Sequence, residues 1–376
     1  MHKSTAFKVF AAILILKIVH LAGLYGLGAV LVWDDRPDLV EYGDNPGLRW
    51  DSGWYQEIVE HGYSFTPGEP SSVAFWPAFP LAGRVLYGLI GIPSGTSLLL
   101  VAHLAGIIGL WAAYLAFREY DAKSAFAAML LLGLFPGNIS LSIAYGESLF
   151  LLFFSLTILF ALRRQHMAAA LCAGILTACK PMGIVGPLVF FLGVLADRGL
   201  DRRGRLLRLT AGAPLSVLGI VLFMAFLRHR FGSPWIFISG EAAWNAGGSV
   251  GIYEALLLIS LVKETVRIWL FSDPPNNVRM GVLLFLCFLA LSYHELYRSR
   301  RWLVIVGLVF LFIPYLATRG DDYRSFLRYI GMSVPHFAIL AHITYDRPLL
   351  LYPLVLVFGL VSMILCAEFA NWYWVF

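Results

Sequence analysis

The chain has 376 residues, of which 59% are hydrophobic and 14% charged, with a formal net charge of +5. Soluble domains carry about 25% charged residues, so this balance excludes an ordinary globular protein. Nucleic acid is not an expected partner, because the basic residues lie in short loops, where they orient membrane helices.

Apolar runs of about 18 residues or more recur along the chain, each long enough to cross roughly 30 Å of hydrocarbon. Lipid tolerates only helices and closed β-barrels as spanning backbone, and the period-two alternation of a barrel is absent. The predicted fold class is an all-α polytopic membrane protein.

In chain order, 6–33 reads as an uncleaved first span. It lacks a small-residue cleavage site, and Lys3 and Lys8 place its start in the cytoplasm. Segment 34–72 follows as an outer loop, with Asp34, Asp35, Asp38, Glu41, Asp44, Asp51, Glu57, Glu60 and Glu69 against Arg36 and Arg49. The stretch 73–92 is apolar but interrupted by Pro77, Pro80 and Arg84, and reads as a helix lying in the interface. A full span there would move Arg118 and Lys123 outside, against the positive-inside rule. Segment 34–94 is therefore taken as the first extracytoplasmic loop.

Spans near 95–117 and 124–136 bracket an inner loop with Arg118 and Lys123. The outer loop 136–148 leads to a span ending at Arg163 and Arg164. Two shorter halves, 166–179 and 183–196, meet at Lys180 and Pro181 on the outer side. A basic inner loop with Arg198, Arg202, Arg203, Arg205 and Arg208 precedes a span at 208–228. A second long extracytoplasmic segment covers 229–275. Within it, 253–271 is apolar but carries Lys263, Glu264 and Arg267, and suits either a span or an interfacial helix. Spans near 277–297, 302–318, 326–345 and 349–370 complete about eleven crossings in one transmembrane domain over 1–376. Arg298, Arg300, Arg301 and Arg347 then lie inside. Arg319, Arg324, Arg328 and the C-terminal Trp-Tyr-Trp lie outside. There is no internal repeat. Cys172, Cys179, Cys287 and Cys366 sit in apolar helical text and read as small hydrophobes.

The polar residues worth singling out fall on one face. If 50–62 is helical, Trp50, Trp54, Ile58 and His61 form one stripe suited to the membrane interface. Asp51 then flanks the stripe with Tyr55 and can point into a cavity. It can take a proton from an attacking hydroxyl, or simply stabilise the start of the helix. Glu147, beside Tyr145 at the mouth of a very apolar helix, can bind sugar hydroxyls, support Asp51, or favour the helix N-terminus. Lys180 stands between two half-spans next to a helix-breaking proline, a costly place for a cation, with a lipid phosphate as natural partner. Arg328, one turn after Arg324, can grip a phosphate through two parallel hydrogen bonds or snorkel to the interface. His61, His103, His229, His336 and His342 show no metal-ligand spacing. No metal or cofactor is expected. A base, aromatic platforms and cations at headgroup level suit a reaction between a lipid-phosphate-linked donor and an acceptor.

These residues sit in ordered stretches that resemble a known family. WDSGWYQEIVEHGY (50–63) and PGNISLSIAYGESLF (136–150) carry the specific part of the resemblance. AFWPAFPLAGRVL (74–86), ACKPMGI (178–184), RFGSPWIFISGEAAW (230–244) and SFLRYIGMSVPHFAIL (325–340) support it. The chain resembles the GPI mannosyltransferase 2 (PIG-V) family and its prokaryotic relatives, within the GT-C glycosyltransferases. It departs from the family at Lys180, where arginine is usual. The resemblance implies a GT-C-type fold with interfacial helices in the first outer loop. It also implies a multi-pass enzyme of a prokaryotic cell membrane, with an extracytoplasmic active site. Such an enzyme transfers a sugar from polyprenyl-phosphate-linked mannose to a lipid, glycan or protein hydroxyl, with inversion and without metal. Asp51 occupies the position of the catalytic acid in the first outer loop. Trp50, Trp54, Tyr55, Tyr145 and Glu147 would bind substrate, and Lys180, Arg328 and Arg324 the donor phosphate. The rival readings are a lipid-linked sugar transporter or flippase, which should show related halves, and a non-catalytic subunit of a transferase complex.

Overall fold

The computed structural model describes residues 3–31, 45–244, 276–296, 301–318 and 325–376. Every regular element among the described residues is helical. Five helices are long and apolar enough to cross a membrane: Ser4–Val30, Ser94–Tyr120, Arg202–Phe231, Val278–Glu295 and Pro348–Ala370. A bent pair, Ala125–Leu134 with Pro136–Ser142, makes a sixth if its 82° break lies within one crossing.

Several elements read as full spans are shorter or broken, each for a visible reason. Helix α1 (Lys3–Leu21) runs on through a π-helical turn, Ala22–Leu27, into Gly28–Val30. After α2 (Ser52–His61), α3 (Ala78–Ile90) and α4 (Ser94–Tyr120), helix α5 (Ala125–Leu134) stops where Pro136 opens a 3-10 segment, Pro136–Ser142. Helices α6 (Glu147–Leu162) and α7 (His166–Leu176) follow. Pro181 then opens a second 3-10 turn, Pro181–Ile184, ahead of α8 (Val185–Ala196). Proline cannot continue the ladder of the preceding helix, so it marks each break. The expected span at 326–345 is instead α14 (Phe326–Ile330) and α15 (Val334–Thr344), parted by a turn at 331–333. Between these lie α9 (Arg202–Ser216), α10 (Leu218–Phe231), α11 (Ile236–Trp244), α12 (Asn276–Leu296) and α13 (Arg301–Thr318), and α16 (Pro348–Ala370) closes the chain. The open question of 253–271 lies outside the described residues.

The core is a continuous apolar cluster in which α4 lies along α6 and α16 lies against the π turn of α1. Leu349, Tyr352, Leu356, Leu360 and Ile364 form an exposed stripe on α16 at helical spacing, as a lipid-facing surface requires. On α3, Leu81, Val85, Leu89 and Ile90 are exposed while Phe79 and Gly83 are buried, which makes the helix amphipathic.

The expected stripe on α2 does not form. Trp50 precedes the helix in a left-handed conformation (φ 52°), Ile58 is buried, and Trp54 packs against Phe75 and Trp244. The helix turns its apolar side to the protein, because α3 and α4 pack against it.

Two groups of ion pairs among the described residues link separate segments of the chain. Arg163 meets Glu119 at 2.8 Å, His342 meets Asp121 at 2.8 Å, and Arg164 and His166 meet Asp197 at 3.6 and 2.9 Å. The second set joins Asp51, Glu147, Lys180 and Arg328. Lys17, buried in α1, donates to the Leu141 carbonyl and to Ser142 Oγ at 3.2 Å, and His20 Nδ1 lies 3.0 Å from the same hydroxyl. These contacts tie α1 to the 3-10 segment that leads into Glu147.

Candidate active site

Asp51 is the residue before α2, yet its side chain does not cap that helix. It turns instead to Arg328, with Oδ2 accepting from Nη1 at 2.8 Å. Its backbone N–H donates to the Tyr145 hydroxyl at 3.3 Å. The left-handed Trp50 sets up this turn, held by the Trp372 and Trp374 rings at 5.8 and 5.5 Å. Among the described residues, four non-glycine residues have positive φ, and three of them, Trp50, Ser325 and Trp372, border this cluster. Sparsely populated backbone of this kind gathers where surrounding structure over-determines a functional geometry.

Arg328 is 3% exposed and lies between two carboxylates. Its Nε is 3.2 Å from Glu147 Oε1, and its Nη2 donates to Ser325 Oγ at 3.1 Å and to the Tyr329 hydroxyl at 3.2 Å. The rings of Tyr145, Tyr329 and Phe376 lie 5.0 to 5.1 Å from its Cζ. Burial acts to lower the guanidinium pKa, but Glu147, Tyr329, Asp51 and Tyr145 overcome it and hold the group firmly charged.

Close backbone approach makes this position available. A Cβ on Gly137 would meet the Leu327 carbonyl and, at 2.9 Å, the Arg328 nitrogen. Only glycine lets the 3-10 segment lie against α14 so closely. Asn138 completes the junction, donating to Gly331 O at 2.9 Å and Leu132 O at 2.7 Å.

Glu147 is the first residue of α6 and is fully buried. Its Oε1 also lies 2.6 Å from Lys180 Nζ. Lys180 has extended backbone immediately before Pro181, so its side chain leaves the break between α7 and α8. The four groups form one chain, Asp51–Arg328–Glu147–Lys180. Two negative charges offset two positive ones, as buried charges require.

A cavity of about 990 Å³ opens beside the chain. Asp51, Lys180 and Arg328 line it, together with Trp50, Trp54 and Tyr55. Tyr145 and Glu147 do not line it; they stand behind the lining groups and hold them. The volume is at the upper end for a small-molecule site and leaves room for a ligand with a lipid portion. One wall is aromatic. Trp54 stacks on Phe75 at 5.8 Å, and Trp244 meets Trp54 and Phe75 edge-on at 5.3 and 6.0 Å. Burial, the largest cause, raises the Tyr55 and Tyr145 hydroxyls well above their usual pKa, so both stay neutral hydrogen-bonding groups.

Arg324 lies outside the described residues. No group of three metal-ligating side chains occurs among the described ones. Sequence reasoning missed Phe75, Glu241, Trp244, Tyr329, Trp374 and Phe376, all of which line the cavity. Phe75 lies in the 74–86 stretch, Glu241 and Trp244 in 230–244, and Tyr329 in 325–340. The stretches were visible, but which of their side chains meet was not.

No family model matches the chain. It is 31% identical over 201 residues to the GPI alpha-1,6-mannosyltransferase 2 of Rattus norvegicus, a match covering 48% of this chain and 39% of that protein. It is 29% identical over 191 residues to the GPI mannosyltransferase 2 of Cryptococcus neoformans, covering 47% and 44%. The chain thus spans only about two fifths of the length of the curated relatives it matches. Among solved structures, an oligosaccharyltransferase of Archaeoglobus fulgidus, crystallised with zinc and sulfate, superposes on 96% of this chain and 53% of its own, with a TM-score of 0.56 at 16% identity. This chain shares that fold. The archaeal enzyme has also been solved with an inhibitory peptide and a dolichol-phosphate (TM-score 0.51, 14% identity, 98% of this chain and 56% of that one).

Proposed function

We propose that this chain is a membrane mannosyltransferase. It moves mannose from a polyprenyl-phosphate-linked donor to an acceptor hydroxyl on the extracytoplasmic face, with inversion and without a metal. The observation that carries the reading is the chain Asp51–Arg328–Glu147–Lys180 at the wall of an aromatic-lined cavity. Asp51 takes the proton of the acceptor hydroxyl while the oxygen attacks the anomeric carbon. The bond from that carbon to the phosphate oxygen breaks, and polyprenyl phosphate leaves with the electron pair. One displacement inverts the centre. Lys180 and Arg328 meet the developing phosphate charge as preorganised cations. Lys180 is the freer of the two, since an ammonium has three donors and Glu147 engages one side of it.

Further support comes from the mannosyltransferase names of the curated relatives and from the dolichol-phosphate bound in the archaeal structure. The ion pairs support the division of these charged groups between two separate places in the fold. Groups assigned to the cytoplasmic side by the positive-inside rule pair with one another, and Asp51, Glu147, Lys180 and Arg328 do likewise. About eleven crossings are consistent with the five long helices together with the shorter apolar ones.

The test is transfer by the lone purified chain in liposomes, with polyprenyl-phosphate-mannose as donor. Released polyprenyl phosphate together with a new α- or β-glycosidic product is the expected result. Counterflow of intact donor with no new bond would make the chain a transporter. Activity that appears only with a second protein would make it a subunit.

A further inference from the structure

Glu241 is a carboxyl of the cavity that the reaction above does not use. It sits on α11, a helix outside the spans and firmly placed. A Cβ on Gly240 would lie 2.8 Å from Val73, so α11 is closely packed on the 3-10 turn Ser72–Ala74, and Phe237 meets Trp76 edge-on at 5.7 Å. One turn on, Trp244 closes the aromatic wall with Trp54 and Phe75. Asp51 and Glu147 are both held by cations, whereas the Glu241 carboxyl has no hydrogen bond or ion pair among the described residues. The residue is part-exposed and lines the cavity. Burial pushes its carboxyl up to about 7, with Lys180 opposing the rise and Asp51 adding to it. The other ionisable groups on the cavity wall are Arg328, Tyr55, Tyr329 and Cys179, whose thiol burial keeps neutral. The turn Ser72–Ala74 brings no titratable group, and Arg228, His229 and Arg230 at the end of α10 are exposed.

A carboxyl here repels the donor phosphate, which Lys180 and Arg328 attract. What it fits is a group carrying N–H or O–H. We propose that Glu241 is an acceptor-binding residue. Its carboxylate accepts a hydrogen bond from a second donor group of the acceptor, a hydroxyl or ammonium near the attacking hydroxyl, and so turns the attacking oxygen toward Asp51. The acceptor is then a polyol or an amino alcohol and not an isolated alcohol. The proposal rests on the transferase reading and specifies its acceptor side.

The experiment uses the purified full chain and two probes, methyl α-mannopyranoside, which has several hydroxyls, and n-octanol, which has one. Glu241→Gln is expected to weaken methyl mannoside binding, measured by saturation-transfer NMR without donor, by about tenfold, the loss of one charge-assisted hydrogen bond. Octanol binding stays unchanged, and Glu241→Asp keeps most of the mannoside affinity. In the wild type, mannoside binding strengthens as pH rises through about 7, because the ionised carboxylate is the better acceptor, and it is flat in the glutamine variant. Unchanged mannoside affinity in Glu241→Gln, equal loss for both probes, or the same pH profile in both proteins overturns the proposal. Release of polyprenyl phosphate from the donor is measured in parallel. Its failure in the wild type counts against the transferase reading, while the binding measurements still decide the role of Glu241.

Discussion

Arg328 reaches Asp51 across 277 residues of sequence, with Nη1 2.8 Å from Oδ2. The pair decides how the site is read. A carboxylate at the head of α2 is ordinarily a helix cap, but this one points away from its helix and into a cavity wall.

Asp51→Asn removes the proton acceptor while keeping size and hydrogen bonding. Transfer by the purified variant is expected to fall by a factor of about 10²–10⁴, the usual contribution of a general base, with expression retained and a smaller drop in Tm than for Glu147→Gln, because the Asp51 side chain is 23% exposed and that of Glu147 is fully buried. Full turnover by Asp51→Asn would remove Asp51 as the base.

Arg328 does more than bind a ligand, because it touches both Asp51 and Glu147. Arg328→Ala leaves Glu147 buried with Lys180 alone and is expected to destabilise the protein by about 3–5 kcal/mol. Arg328→Lys keeps the charge but cannot make the forked contacts to Asp51, Glu147, Ser325 and Tyr329. It should fold, and show a raised donor KM and a lowered kcat. A lysine variant with wild-type kinetics would make the guanidinium geometry irrelevant to the reaction.

Glu147→Gln leaves two cations facing each other with one counter-charge fewer. Since Glu147 is fully buried and does not line the cavity, the main effect is on stability, about 3–5 kcal/mol, read as a lowered Tm in detergent. Loss of activity at unchanged Tm would instead place Glu147 in contact with substrate.

Lys180→Met is expected to raise donor KM by about tenfold or more, as loss of one charged hydrogen bond does, and Lys180→Arg should preserve donor binding. Unchanged donor KM in the methionine variant would show that the phosphate binds elsewhere.

Gly137→Ala places a methyl against the backbone of Leu327 and Arg328, which cannot move without carrying the guanidinium. Both activity and stability should drop, the latter by about 1–3 kcal/mol for an overpacked contact. A neutral alanine variant would mean that the close approach of the two segments is dispensable.

Much of the fold was legible in the sequence because its signals are local. Apolar length marked the long helices, and Pro136 and Pro181 marked the breaks that became 3-10 turns. The single expected span at 326–345 failed because apolar content alone does not register a turn at 331–333. The stripe on α2 failed for a related reason. Spacing fixes which residues share a helical face, but not whether that face meets lipid or protein. Here α3 and α4 cover it.

By itself the sequence determined the membrane class, the helical architecture and a short set of charged residues too costly to bury without purpose. Composition and period suffice for that, since lipid permits so few backbone solutions. Only the tertiary structure decided how those charges are matched. Asp51 and Glu147 looked like equivalent helix-terminal acids. Packing sent one into the cavity wall against Arg328 and the other behind it, under Arg328 and Lys180. It also brought Glu241 to the same cavity without a partner among the described residues. Electrostatic pairing depends on distances between segments as much as 277 residues apart, and no local pattern encodes them.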